Sequence, residues 1–242
     1  MRSSEGSRTS PTSADPVVVA LPGTGSDADY ASRAFGSTGL PVVAVDPDEN
    51  GLVRGYERAL DRAAADHTQV IAAGISIGAC VAVQWALSHP AACAGVLAAL
   101  PPWLGSPRTA PAAHSAAWTA ALIRTHGLEE TIRQMSAGSP AWLSAELNRS
   151  WRAAGPHLVS QLDEAANYVA PTAEMIARLQ VPLSVVAVSD DPVHPAVVAK
   201  AWHDAADRSV STEISMARWG ADPALLGRLA IRGWRDLTAE PG

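Results

Sequence analysis

The sequence predicts an α/β fold, a mostly parallel sheet of about six strands with helices on both faces. Three observations carry this expectation. Short runs of Val, Ile, Leu and Ala recur without polar alternation, as strands buried on both faces do. Helix-length segments separate these runs, and strand and helix alternating in chain order mark a parallel sheet. Finally, 242 residues at 48% hydrophobic and 17% charged suit one domain with a sizeable core and exclude a disordered chain.

Taken in order, the first run is Val17–Leu21, directly after Pro16, followed by a helical segment at Asp29–Phe35. Val42–Val45 and the helix Leu52–Asp66 come next, then Val70–Ala73 and Ile77–His89, then the run Gly95–Leu100. The pattern resumes with Leu183–Val188, the helix Ala196–Ala206, a last strand at Val210–Met216 and a last helix at Pro223–Leu237. Between Leu100 and Leu183 lie about eighty residues without a strand signal, long enough to be a structured cap or a functional loop. Helical patterns at Ala112–His126, Leu128–Met135, Pro140–Ala153 and His157–Val169 favour a helical cap over about 102–180. Residues 1–15, rich in Ser, Thr and Arg with no apolar stretch, read as a flexible tail rather than a secretory signal. A single domain over 16–242 and a cytoplasmic location follow as expectations.

Composition narrows the partners. A net charge of −6 and a pI near 5.6 argue against a broad basic face for nucleic acid. No window offers the roughly 18 apolar residues of a membrane span. The two cysteines, Cys80 and Cys93, lack metal-site spacing and read as small core hydrophobes. No metal and no cofactor is implied, and the expected partner is a small-molecule substrate. The sequence is silent on oligomeric state.

One motif carries chemistry. Gly74-Ile75-Ser76-Ile77-Gly78 reads G-x-S-x-G, and it joins the strand Val70–Ala73 directly to the helix Ile77–His89. A turn this sharp needs small flanking residues and holds its central serine in a strained conformation above the sheet edge. The residue after the serine opens a helix, whose free N–H groups can hold an oxyanion.

In these residues the chain resembles the α/β-hydrolase fold family, over roughly residues 16–238. The resemblance implies a serine nucleophile at Ser76. It also matches Leu21-Pro22-Gly23-Thr24-Gly25-Ser26 to the family's oxyanion loop, which usually reads His-Gly-x-Gly, with Pro22 in place of His. Thr24 and Ile77 would then supply the oxyanion N–H groups. The stretch Ser189-Asp190-Asp191-Pro192-Val193-His194-Pro195 matches the acid loop, with Asp191 in the acid's position and Asp190 as fallback. The family's first two strands have no counterpart here, hence the shortened sheet. The glycine loop is a poor dinucleotide fingerprint, because Gly23-x-Gly25 is followed by Ala28 where a third glycine is needed.

The family's catalytic histidine follows the last strand, but here that place reads Ser215-Met216-Ala217-Arg218-Trp219-Gly220-Ala221-Asp222. A serine hydroxyl needs a base within hydrogen-bond reach. His67, His89 and His203 fall near the opposite rim of a parallel sheet, away from the carboxyl ends of the strands where catalytic groups lie. His194, three residues after Asp191, is on the correct rim and is the best candidate. A cap histidine (His114, His126 or His157), or no histidine at all, remain the other readings. Arg218 or Asp222 could supply part of the missing function. One short loop carrying both Asp191 and His194 leaves open whether Asp191 or Asp190 orients the ring.

The leading function is therefore a serine hydrolase acting on an ester, thioester or lactone, with Ser76, Asp191 and His194 as the catalytic group. The alternatives are a non-hydrolytic enzyme of the same fold, catalysing a cyclisation or elimination, and a catalytically inactive ligand-binding homologue. The inserted segment carries Trp103, Trp118, Trp142 and Trp151. Trp103, Trp118 and Trp142 are the candidates for lining an apolar substrate pocket.

Overall fold

A computed structural model describes residues 15–239. The expected tail, apart from Asp15, lies outside the described residues. Six strands form one parallel sheet: β1 (Val17–Leu21), β2 (Val42–Ala44), β3 (Val70–Ile75), β4 (Cys93–Ala99), β5 (Leu183–Val188) and β6 (Ser209–Ile214). Their order across the sheet is β2-β1-β3-β4-β5-β6, every neighbouring pair parallel. Strands β1, β3 and β5 are buried at every position, which explains why their sequences run apolar without alternation. The edge strands β2 and β6 are partly exposed.

Alternate residues of each strand feed two separate cores, as the two-residue period of a strand requires. Val17, Val19 and Leu21 pack on one face with Leu52, Tyr56 and Trp202. Val18 and Ala20 pack on the other with Phe35, Leu226 and Ile231. The first face is covered by α2 (Leu52–Asp66), α3 (Ile77–Ser88) and α9 (Ala196–Ala205), and the second by α1 (Ala28–Phe35) and α11 (Leu225–Thr238). Between β4 and β5 the chain forms α4 (Pro111–His126), α5 (Leu128–Gly138), α6 (Ala141–Ala154), α7 (His157–Asn167) and the single turn α8 (Ala173–Ile176). Ala120, Ile132, Trp151, Leu158 and Leu162 give this insertion a small core of its own.

The order in which the chain adds strands reverses at β1: β2 lies to one side and β3 to the other. The loops after β1 and β3 therefore flank the crevice where ligands bind in open α/β sheets. Several element ends differ from expectation: β3 runs on to Ile75 and β4 already begins at Cys93. The last strand stops at Ile214, where its pairing with Val188 ends, instead of running to Met216. Met216–Ala221 forms the short helix α10, which Ser215 caps by accepting the Arg218 N–H at 3.4 Å.

Among the described residues no helix is long and apolar enough to cross a membrane. Cys80 and Cys93 are buried and unpaired. Burial pushes the Cys93 thiol up to about 11 and the Cys80 thiol higher still, so both behave as core hydrophobes.

Candidate active site

Ser76 sits where β3 hands over to α3. Its φ of 54° is in the left-handed region, unusual for any residue with a side chain. Such a conformation costs on the order of 1–3 kcal/mol and persists only where the surroundings enforce it. Here the Ser76 N–H is fixed to the Ala99 carbonyl at 2.9 Å, and the Ser76 carbonyl accepts from Ala79 and Cys80 in the first turn of α3. Gly74 and Gly78 let the two arms of the turn close. A Cβ on Gly74 would overlap the Gly78 carbonyl, and one on Gly78 would come within 2.5 Å of the Leu21 carbonyl oxygen.

The loop at residues 189–195, the expected acid loop, follows β5. Asp191 Oδ1 accepts the Val193 N–H at 2.8 Å, a local turn that folds the loop back on itself. That turn brings His194 Nδ1 to 2.8 Å from Asp191 Oδ2 and His194 Nε2 to 2.9 Å from Ser76 Oγ. Asp190 faces elsewhere, its Oδ1 accepting the Met216 N–H at 2.5 Å. Burial raises the Asp191 carboxyl, but the hydrogen bond and charge of His194 and the backbone N–H groups of Val193 and His194 outweigh it. The group is held below the ordinary carboxylate range.

The other histidines lie away from Ser76. His67, His89, His114, His126 and His157 are exposed, and His203 is hydrogen-bonded to Ser209 at 2.6 Å. Arg218 is exposed and Asp222 pairs with Arg228; neither lines the crevice.

Above Ser76 is a cavity of about 280 Å³ between the sheet edge and the inserted helices. Thr24 and Ile77 line it, and among the described residues neither backbone N–H meets a hydrogen-bond acceptor. The wall from α4 is Ala112, Ser115, Ala116 and Thr119, and that from α6 includes Leu143, Leu147 and Trp151. Helix α6 is tied to the loop after β1 by Ser150 Oγ, which donates to the Gly25 carbonyl at 2.5 Å, and by Arg149, which pairs with both oxygens of Asp27. Gly25, at φ 74°, lies under the Trp151 ring, where a Cβ would come within 2.6 Å of Nε1.

Of the three expected tryptophans, only Trp103 lines the cavity. Trp118 is 67% exposed on the outer side of α4. Trp142 packs edge-on against Trp219, ring centroids 4.8 Å apart, and stays outside the lining. Trp151, Trp219 and Tyr30 form the aromatic wall in their place. Trp151 follows Leu143 and Leu147 at helical spacing, a signal present in the sequence. Trp219 reaches the cavity only because α10 forms, which the sequence did not announce.

The comparisons with known proteins follow this geometry. The sequence profile of the alpha/beta hydrolase family matches residues 7–229. The chain belongs to that family. No curated protein sequence matches it. Among solved structures it is similar to a hydrolase from Oleispira antarctica (TM-score 0.71, 13% identity, 90% of each chain covered). It is also similar to MenH from S. aureus (TM-score 0.72, 14% identity, 93% of this chain and 95% of that one). A third is an enol-lactonase from Burkholderia xenovorans (TM-score 0.66, 15% identity, 85% and 87% covered). At such identities these likenesses speak for the shared fold, and function has to be argued from the site. Its parallel sheet with helices on both faces is the family's fold.

Proposed function

We propose that this alpha/beta hydrolase cleaves a small-molecule ester, thioester or lactone through an acyl-enzyme on Ser76. The observation that carries the reading is the continuous hydrogen-bonded line from Ser76 Oγ through the His194 ring to Asp191 Oδ2. With Asp191 ionised, Nδ1 carries the ring proton and Nε2 is the acceptor facing the hydroxyl. His194 takes the Ser76 proton as Oγ bonds to the substrate carbonyl carbon. The carbonyl electron pair moves onto oxygen, where the Thr24 and Ile77 N–H groups receive it. Collapse breaks the bond to the leaving group, which takes the proton from His194. Water then repeats the cycle: His194 removes its proton, the acyl group leaves as the acid, and Ser76 recovers its hydrogen. Two buried, unpaired thiols fit a reducing compartment, and a cytoplasmic setting belongs to this reading.

The test is intact-mass analysis after treatment with a fluorophosphonate, comparing the wild type with Ser76→Ala. A single adduct on the wild type, lost in the variant, is expected. A wild type that stays unlabelled beside a reactive control hydrolase rules out an activated serine. Turnover that survives Ser76→Ala points instead to non-hydrolytic chemistry.

A further inference from the structure

Among the described residues, 26 line the cavity beside Ser76, and none of these is Lys or Arg. Besides His194 and Asp191, its one formally charged side chain is Glu146, on the inner side of α6. Two arginines lie close by, but both are turned to carboxylates. Arg33 pairs with Glu146 at 2.5 Å and Asp29 at 2.9 Å. Arg149 pairs with Asp27 at 2.5 Å, and reaches Glu146 at 3.3 Å and Asp29 at 3.4 Å. Three carboxylates thus meet two guanidiniums, and neither arginine is left to receive an anion.

The remaining polar groups in the wall are neutral. The Trp103 indole N–H is buried without a hydrogen-bond partner among the described residues, and the Tyr30 hydroxyl lies against the Trp219 indole N–H. A carboxylate placed here would lose its hydration without gaining a counter-charge, which is costly.

We propose that the cavity accepts uncharged, largely apolar acyl groups and rejects those ending in a carboxylate, and that Glu146 sets this charge selectivity. Glu146 does so twice over: it puts a negative charge in the wall, and it occupies Arg33 and Arg149. The proposal rests on the reading of Ser76 as the nucleophile, and its test separates the two.

The test compares p-nitrophenyl hexanoate with mono-p-nitrophenyl adipate, whose six-carbon acyl group ends in a carboxylate, at low ionic strength. From the repulsion of like charges across a partly screened cavity, kcat/KM is expected to favour the neutral ester by at least about thirtyfold. Glu146→Gln keeps the shape, removes one charge from the wall and leaves Arg33 with Asp29 as its one carboxylate partner of the two, and is expected to compress that ratio by about tenfold. Met135→Lys, which adds a cation to the wall, is expected to compress it as well and stands in if Glu146→Gln does not fold. A binding arm uses Ser76→Ala with hexanamide and with the monoamide of adipate, read by tryptophan fluorescence. Equal or tighter binding of the anion, equal turnover of the two esters, or binding of neither ligand overturns the cavity's selectivity. An unchanged ratio in folded Glu146→Gln overturns the role of Glu146. Preferential binding of hexanamide with no ester turnover and no fluorophosphonate adduct leaves the selectivity standing and removes the hydrolase reading.

Discussion

Ser76 and His194 stand 118 positions apart in the chain and meet at 2.9 Å, Oγ to Nε2. They arrive there from adjacent regions of one sheet edge. Ser76 follows β3 and His194 follows β5, with β4 between them. The ring spans the gap because the Asp191–Val193 turn doubles the acid loop back toward the serine. A histidine on this loop therefore reaches the same atom that a histidine after the last strand would serve. With His194 as the proposed base, none is required on α10, whose Trp219 lines the cavity instead.

His194→Ala is expected to lower kcat by at least about a thousandfold, as loss of the base in such a group does. His114→Ala, His126→Ala and His157→Ala are expected to leave it within about twofold, since all three side chains are exposed and surface changes are near neutral. Ester turnover by each purified variant is the measurement. Full activity in His194→Ala would remove the residue from the mechanism.

Gly74→Ala tests the turn that presents Ser76. Its new Cβ overlaps backbone atoms of Gly78 and Ala79, which have no flexible side chain to move aside. Overpacking of this kind costs about 1–3 kcal/mol, and the shift falls on the first turn of α3, next to Ser76. A lower melting temperature and slower fluorophosphonate labelling are both expected. Labelling at the wild-type rate would mean that the turn tolerates the displacement.

Much of this was legible in the sequence, for reasons that differ from residue to residue. Val17–Leu21 and Leu183–Val188 announced themselves because strands buried on both faces have no polar period to hide in. The turn at Ser76 was legible because its chemistry needs glycines at fixed offsets. The tryptophans were not, because aromatic content says nothing of direction. Helical period would have sorted them. On α4 the inward stripe is Ala112, Ser115, Ala116 and Thr119, which leaves Trp118 pointing out. On α6 the stripe Leu143, Leu147, Trp151 leaves Trp142 one position off. The meeting of Asp191 with His194 depends on a three-residue turn whose direction is set by one side chain-to-backbone hydrogen bond, and no spacing rule encodes that.

The Asp191 carboxyl titrates below its ordinary value in the folded protein. The folded state therefore binds fewer protons than the unfolded chain across that interval. The stabilisation is complete above the unfolded value of about 3.9 and is lost as pH falls through the lowered folded value. Urea melts of wild type and Asp191→Asn are expected to differ most near neutral pH, with the gap narrowing as the pH falls below about 4. A gap that stays constant from pH 6 to pH 3 would show that Asp191 contributes through packing alone.

Arg149 offers the last test, since it ties α6 to the loop that carries Thr24. Its two guanidinium nitrogens reach the two oxygens of Asp27 at 2.5 and 2.9 Å. Asp27 also caps α1 by accepting the Tyr30 N–H at 3.1 Å, so the tie runs from the insertion into the main domain. The Arg149 side chain is 43% exposed, which screens the pair. Arg149→Ala is therefore expected to cost no more than about 1 kcal/mol of stability, less in high salt. Its larger effect falls on KM, because Ser150 and Trp151, next in sequence, hold the cavity wall against Gly25. Arg149→Lys, a point charge that cannot grip both oxygens, is expected to fall between the two. Melting curves at two salt concentrations and steady-state kinetics on one neutral ester check both parts. A loss confined to kcat, with KM unchanged, would place the effect of Arg149 on the Thr24 loop rather than on the cavity wall.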